Sequence, residues 1–167
     1  MEERELQIRK LVEGFSKELP HFEDGRIDYS KSDVAPVIVV FLRHNLKILL
    51  LKRSKKVLTY KGKWNAVAGY LDDAQPIREK VLEELREEVG VGEDVIDSIH
   101  IGEPYTFADQ DIGKTWIIHP ILVELKGEPK ITLDWEHTEY RWVDPEELRY
   151  MEDIVPNVGT SYHHVQK

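Results

Sequence analysis

The segment from residue 76 to residue 89 constrains the fold more than any other part of the chain. Its apolar side chains recur at every fourth position and therefore share one face of a helix: Ile77, Val81, Leu85 and Val89. Pro76 suits a first helical turn, and Gly90 suits the residue that ends a helix. The other face is rich in acids, so this helix must pack its apolar face against a second layer.

Segments rich in β-branched and apolar residues predict that second layer. We expect strands at residues 35–44, 46–53, 64–70, 99–107, 115–125 and 138–143. Asn45 marks a tight turn, and a polar loop before residue 115 predicts a hairpin. Further helices are expected at 2–18 and 144–151, the second with Asp144 as its N-cap. This order of elements predicts an α+β fold or a mixed sandwich, with an extra N-terminal helix.

The length of 167 residues fits a single domain with one core. We expect the range 1–167 to comprise an N-terminal helix and loop (1–34), a core (35–155) and a C-terminal tail (156–167).

Composition excludes several classes of function. The net charge of −9 argues against general binding of nucleic acid. No apolar run approaches the length that spans a bilayer, and the charged N-terminus lacks the apolar region of a signal peptide, so we expect a cytoplasmic protein with no membrane partner. The chain has no cysteine, which excludes disulfides, a thiolate nucleophile and a Cys-ligated zinc site.

Three acids of the helix are candidate metal ligands. Glu84, Glu87 and Glu88 share one helical face, and the like-charge pairs at a spacing of four residues repel each other. A divalent cation would relieve this repulsion, and Mg²⁺ prefers oxygen ligands that it shares with substrate phosphates. Taken alone, the same pattern also fits a solvated acidic helix face.

A cationic segment at residues 52–63 complements these acids, since it holds many basic residues and no carboxylate. Arg53, Lys61 and Lys63 are candidate phosphate-binding residues, because Arg grips phosphate oxygens in pairs and Lys acts as a point charge. A solvated surface loop is the alternative interpretation.

The segment from Gly69 to Val91 resembles the Nudix box, in which a glycine precedes a helix that carries a Glu-x-x-Glu-Glu group. Residues before the box (61–69) and near the end of the fold (135–148) also resemble the family, so the likeness covers roughly residues 35–150. The resemblance implies an α/β/α sandwich, in which helices flank a mixed β-sheet, and hydrolysis dependent on Mg²⁺ or Mn²⁺. It also implies that Glu84, Glu87 and Glu88 hold the metal, and that Gly69 lies beside the substrate.

Two positions depart from the box, because Gln75 stands where the family has Glu and Glu83 where it has Arg. We expect the amide of Gln75 to hydrogen-bond the carboxylate of Glu83, as a replacement for the family's ion pair. The change loses a cation and adds an acid beside the metal ligands.

Glutamates from the late segment are candidates for a general base. Glu136 and Glu139 lie in or just before the last strand, and the resemblance implies that such a residue completes the metal site or activates water. His137 is interpreted as a structural residue. Most aromatic residues are expected in the core, with one or two free to stack on a base: Tyr60, Trp64, Tyr105, Phe107, Trp116 and Trp135.

The resemblance implies a small-molecule nucleotide substrate, in which a nucleoside diphosphate is linked to another moiety. Nucleoside triphosphates, ADP-ribose and dinucleoside polyphosphates all fit. A nucleotide-binding or regulatory domain with weak or no catalysis is the alternative, since the box departs from its pattern. An isoprenoid diphosphate isomerase would use a cysteine, and a purely structural protein would leave the aligned glutamates unexplained. The helix at 2–18 could pack on a second copy, so a homodimer is one expectation.

Overall fold

The computed structural model describes residues 2–166 and is built on one mixed eight-stranded sheet. In chain order, the helices and strands are α1 (Glu2–Glu18), β1 (Val34–His44), β2 (Lys47–Arg53), β3 (Trp64–Asn65), β4 (Val67–Tyr70), α2 (Ile77–Val89), β5 (Ile96–Ile101), β6 (Tyr105–Asp109), β7 (Lys114–Leu125), β8 (His137–Val143) and α3 (Val158–Val165). Two short 3₁₀ helices complete the chain, Glu93–Val95 and Pro145–Tyr150. The predicted sheet flanked by helices is confirmed.

Strand β1 is central and pairs with three neighbours. It runs parallel to β7 and antiparallel to β2 and β4, which places Ile38 opposite both Gly69 and His119. Its residues from Ile38 to Leu42 are all buried, because layers cover both faces of the sheet. At the turn into β2, Asn45 and Leu46 both have positive φ, as the predicted tight turn requires.

The remaining strands extend the sheet from β2 and β7. Strand β2 pairs antiparallel with β3 and β8, and β7 pairs antiparallel with β5 and β6. The β6–β7 pairing is the predicted hairpin. Asp144 caps the second 3₁₀ helix in a reciprocal arrangement with Glu147, as the N-cap prediction required.

Two predicted strands are each divided in two. The 64–70 segment separates into β3 and β4 at Ala66, and the 99–107 segment breaks after Ile101. Gly102 explains the second break, because a Cβ there would lie 2.5 Å from Cγ1 of Val165 and 2.9 Å from the carbonyl oxygen of His164. The chain therefore bends where the final helix packs closely on its backbone.

The segment expected to be a C-terminal tail contains helix α3. Val158, Tyr162 and Val165 are buried, and the Tyr162 ring meets Phe41 of β1 edge-on. Apolar residues at helical spacing explain this packing, a pattern that the prediction of a tail overlooked. Met1 and Lys167, the ends of the expected range 1–167, lie outside the described residues.

Helix α1 matches its predicted range and packs on the same chain. It buries Ile8 and Val12, while a carboxylate of Glu5 accepts a hydrogen bond from the backbone N–H of Ile77 at 3.1 Å. This contact satisfies one of the open N–H groups at the start of α2. Among the described residues, no helix combines the length and apolar character needed to cross a membrane.

Candidate active site

Helix α2 is fixed in one orientation by its apolar face. All four predicted apolar residues are almost fully buried, and Gly90 ends the helix with φ 68°, a left-handed conformation that glycine adopts without strain. The acidic residues are thereby directed towards the sheet edge formed by β4 and the loop before β8.

A cavity of about 280 Å³ opens beside this helix. Its lining includes five residues singled out from the sequence: Arg53, Gly69, Glu84, Glu87 and Glu136. One part of the wall is acidic, and another is built from apolar and aromatic side chains of β1, β6 and β7. The lining of a single cavity thus combines carboxylates, an arginine and an apolar surface.

Among the helix glutamates, Glu88 is buried and Glu84 is partly buried. Glu88 is 2% exposed, and its Oε2 has no hydrogen-bond partner among the described residues. Burial raises the pKa of both Glu84 and Glu88, and the neighbouring Glu84 carboxylate adds to the rise at Glu88. A buried carboxylate oxygen that has no partner and lies in a cluster of carboxylates fits a site for a divalent cation.

Gly69 lies against the Glu84 carboxylate. A Cβ at this position would come within 2.6 to 2.8 Å of the three carboxyl atoms of Glu84, which is closer than real Cβ contacts. Glycine is required here because strand β4 and helix α2 approach each other closely at the cavity.

Glu136 is held next to the cavity by its backbone. Its carbonyl oxygen accepts a hydrogen bond from the N–H of Ser54 at 2.7 Å, and its own N–H donates to Asp134 at 3.2 Å. Burial, with further contributions from the charges of Asp134 and Glu84, raises the pKa of Glu136 to about 7. A carboxylate with such a pKa is suited to accept a proton near neutral pH.

Arg53 supplies a fixed cation near these acids. Its Nε donates to the carbonyl oxygen of Thr59 at 2.9 Å, and Nη2 lies 3.3 Å from the Thr59 hydroxyl. Burial lowers the pKa of Arg53, although nearby Glu136 and Glu88 favour the charged form. The guanidinium therefore has a set position before any ligand arrives.

Four candidates from the sequence do not line the cavity: Glu88, Lys61, Lys63 and Glu139. Glu139 is exposed on β8 and forms an ion pair with Lys52 at 3.3 Å. The backbone carbonyl of Lys63 accepts from the N–H of Arg53 at 2.8 Å, so that residue contacts Arg53 through its main chain.

The expected contact between the two departures from the box is present. Gln75 Nε2 donates to Glu83 Oε2 at 3.2 Å and to Asp73 Oδ2 at 3.1 Å. The amide therefore links two carboxylates at the start of α2 and replaces an ion pair with hydrogen bonds.

Lys80 supplies the cation that the departures seemed to remove. Its side chain is 3% exposed, and Nζ lies 2.6 Å from Asp72, 3.0 Å from Glu83 and 3.7 Å from Glu84. Burial lowers the pKa of Lys80, but the hydrogen bond and charge of Asp72 outweigh it and raise the pKa overall. The positive charge thus lies at position 80 in this chain, one helical turn before position 83, where the box has Arg.

Sequence reasoning missed the roles of Lys80 and Asp72, although both lie inside the box-like segment. The detectable signal was the spacing of Lys80 three and four residues before Glu83 and Glu84, which places these side chains together on a helix. Asp72 joins them only because the loop after β4 folds back on α2, and no local pattern predicts that.

The aromatic residues singled out from the sequence lie in three places: the cavity wall, the core and the surface. Tyr60, Phe107 and Trp116 line the cavity, and the Tyr60 hydroxyl donates to Asp109 at 2.6 Å while accepting from Trp116 Nε1 at 3.0 Å. Trp64 is buried, but Trp135 is 61% exposed, so the core expectation is wrong for that residue.

Comparison with known proteins identifies the family of the chain. The NUDIX domain model matches residues 33–164. An RNA pyrophosphohydrolase of Novosphingobium aromaticivorans is 32% identical in an alignment of 117 positions that covers 61% of this chain and 71% of that relative.

Solved structures agree on the fold. A MutT protein from Methanosarcina mazei Go1 has a TM-score of 0.64 at 23% identity, covering 80% of this chain and 93% of that one. A MutT NUDIX hydrolase from Burkholderia pseudomallei has a TM-score of 0.65 at 20% identity, covering 80% and 98%. With the family match and the relative, these findings show that the chain belongs to the Nudix family and is a pyrophosphohydrolase acting on nucleotide-linked substrates.

Proposed function

We propose that this enzyme uses Mg²⁺ or Mn²⁺ to hydrolyse a phosphoanhydride in a nucleoside diphosphate that is linked to another moiety. The observation that carries the proposal is one cavity whose lining combines the carboxylates of Glu84, Glu87 and Glu136 with apolar and aromatic side chains. The diphosphate would lie at the acidic side with its cation, and the base would lie against the aromatic side.

The acids of α2 would hold the cation. Glu84, Glu87 and Glu88 provide oxygen ligands on one helical face, and the partnerless Oε2 of Glu88 supports such a role. When bound, the cation would neutralise phosphate oxygens and lower the pKa of water.

Two other residues of the cavity lining would bind the phosphates and accept a proton. The Arg53 guanidinium, already held by Thr59, would bind phosphate oxygens and stabilise the charge that accumulates on the leaving group. Glu136 would accept the proton of the attacking water, because its raised pKa of about 7 suits a base near neutral pH.

The aromatic wall would bind the base. Phe107 and Trp116 face the cavity together with Val37 and Ile118. Every base offers a π-face, so stacking would give affinity without selecting one base. Nucleoside triphosphates, ADP-ribose and dinucleoside polyphosphates all combine a base with the required diphosphate.

A substrate panel with product identification tests the proposal. The panel contains these three nucleotide classes and an RNA with a 5′-terminal pyrophosphate group, each assayed with Mg²⁺ and with a chelator. We expect metal-dependent cleavage of at least one small nucleotide.

Glu84→Gln should reduce kcat at least 100-fold, whereas Glu139→Gln, outside the cavity, should retain activity. Nucleotide binding without metal-dependent cleavage would instead support the alternative of a binding domain.

A further inference from the structure

A buried histidine lies beside the carboxylates of the proposed metal site. His137 is the first residue of β8, its side chain is 1% exposed, and it follows Glu136 directly. Ligand atoms of Glu88, Glu136 and His137 all lie within 4.8 Å of one another. The loop before β8 and the end of α2 therefore bring one nitrogen and two carboxylates together.

The imidazole is oriented by a hydrogen bond on its far side. His137 Nδ1 lies 3.0 Å from Asp134 Oδ1, and an ionised carboxylate can only accept, so Nδ1 carries the proton. The neutral ring then has a lone pair on Nε2, which faces Glu88. A carboxylate that holds the remote N–H of an imidazole is the usual support of a histidine metal ligand.

The distance between His137 and Glu88 is too long for a hydrogen bond and suits two ligands of one ion. His137 Nε2 and Glu88 Oε1 are 3.6 Å apart, beyond the normal range for an N–H···O bond. Two atoms bound at ~2.1 Å from one ion lie at most about 4.2 Å apart. Glu88 Oε2 is also buried without a partner among the described residues, so a cation bound here would satisfy it.

We propose that His137 Nε2 binds the cation together with Glu88, next to the base Glu136, in a mixed nitrogen and oxygen site that prefers a transition metal such as Mn²⁺ or Co²⁺ to Mg²⁺. The inference rests on the proposed function for the role of Glu88, and it adds a ligand that the box does not contain. Imidazole favours transition metals, whereas Mg²⁺ favours an all-oxygen shell. The histidine therefore biases the choice of metal at this site.

Pulsed electron paramagnetic resonance of Mn²⁺ bound to the full chain tests the ligand directly. We expect a ¹⁴N coupling that changes to a ¹⁵N coupling when the chain is grown with ring-labelled histidine. The coupling should disappear in His137→Gln, which offers an amide oxygen near the position of Nε2. This readout requires no turnover, and the wild-type measurement does not depend on whether the variant folds.

Calorimetric titration with MnCl₂ and with MgCl₂ measures the preference. The ratio of Mn²⁺ to Mg²⁺ affinity should fall at least tenfold in His137→Gln. It should stay unchanged in His119→Gln, which removes another buried histidine that lies on β7 outside the cavity lining. No ¹⁴N coupling in the wild type, or an unchanged ratio in a folded His137→Gln, would overturn the proposal. Hydrolysis with Mg²⁺ would then still stand, whereas nitrogen coupling without hydrolysis would refute the proposed function alone.

Discussion

At the scale of single residues, the site depends on close contacts that leave little freedom. Gly69 is the clearest case, because the space that a methyl group would occupy is filled by the carboxylate of Glu84. Lys80 is a second case, because a buried ammonium holds several carboxylates together. One position lacks a side chain and the other carries a charge, and each sets the location of Glu84.

Gly69→Ala is expected to damage the site more than the fold. The new methyl group meets the end of a flexible side chain, so Glu84 can move aside at small cost in stability. The displaced carboxylate should lower metal affinity roughly 10–100-fold, the range found when ligand orientation is lost. Calorimetric Mg²⁺ titration and thermal unfolding measure the two effects. Gly127→Ala, where a Cβ meets nothing within 4 Å, is the matched control, and equal metal affinity in both variants would contradict the expectation.

Lys80→Met should destabilise the protein by about 3–5 kcal/mol, since it leaves buried carboxylates without their cation. The exposed pair of Lys52 and Glu139 provides the control, because Lys52→Met should cost no more than about 1 kcal/mol. Urea unfolding gives both free energies. Adding Asp72→Asn to Lys80→Met should recover part of the loss, and similar losses for the two lysines would refute a buried structural role.

At the scale of elements, helix α2 was predictable in outline and not in detail. Its range, apolar face and final glycine follow from local spacing, and the structure confirms them. The environment of its acids does not follow, because Glu88 is buried by β8 and its preceding loop, which lie about fifty residues later. Lys80 is buried because Asp72 reaches it from the loop after β4. Local patterns predict faces of helices, whereas contacts between distant segments decide which charges are buried.

A double-mutant cycle on Gln75 and Glu83 tests whether the start of α2 is tied to its preceding loop. The 3.2 Å hydrogen bond should give Gln75→Ala and Glu83→Ala a coupling of about 0.5–1.5 kcal/mol in the free energy of unfolding. Strictly additive losses would show that the bond contributes nothing. Gln75→Ala with Glu146→Ala, an exposed acid on a different helix, should be additive.

At the scale of the whole molecule, the class of fold could be predicted from the sequence, but the long-range pairing of its strands could not. Strand-like runs around an amphipathic helix predict a flanked mixed sheet, and the order of elements agrees with the structure. The parallel pairing of β1 with β7 joins residues about eighty positions apart, so no local signal reveals it. The break at Gly102 likewise depends on the packing of α3, which was expected to be a tail.

The metal-free protein should lose stability as the pH rises from about 4.5 to 7. Burial raises the pKa of Glu84, Glu88 and Glu136, the last to about 7, so the folded chain binds more protons than the unfolded chain in this window. Deprotonation then places like charges in a buried group. In thermal unfolding with a chelator, the Tm should fall more steeply over this range in the wild type than in Glu136→Gln, and added Mg²⁺ should reduce the fall. Equal slopes in the two proteins would contradict the expected shift of Glu136.

Helix α3 closes the cavity from the far end of the chain, with Val158 and Ser161 in its lining. The carboxylates that would act on the diphosphate come mainly from a helix about seventy residues earlier. The proposed catalytic acids and this part of the cavity wall are therefore encoded in separate stretches of sequence. Substitutions in α3 can reshape the space for the base without disturbing the acidic helix. For enzyme engineering, that separation makes the final helix the place to build libraries with altered substrate preference.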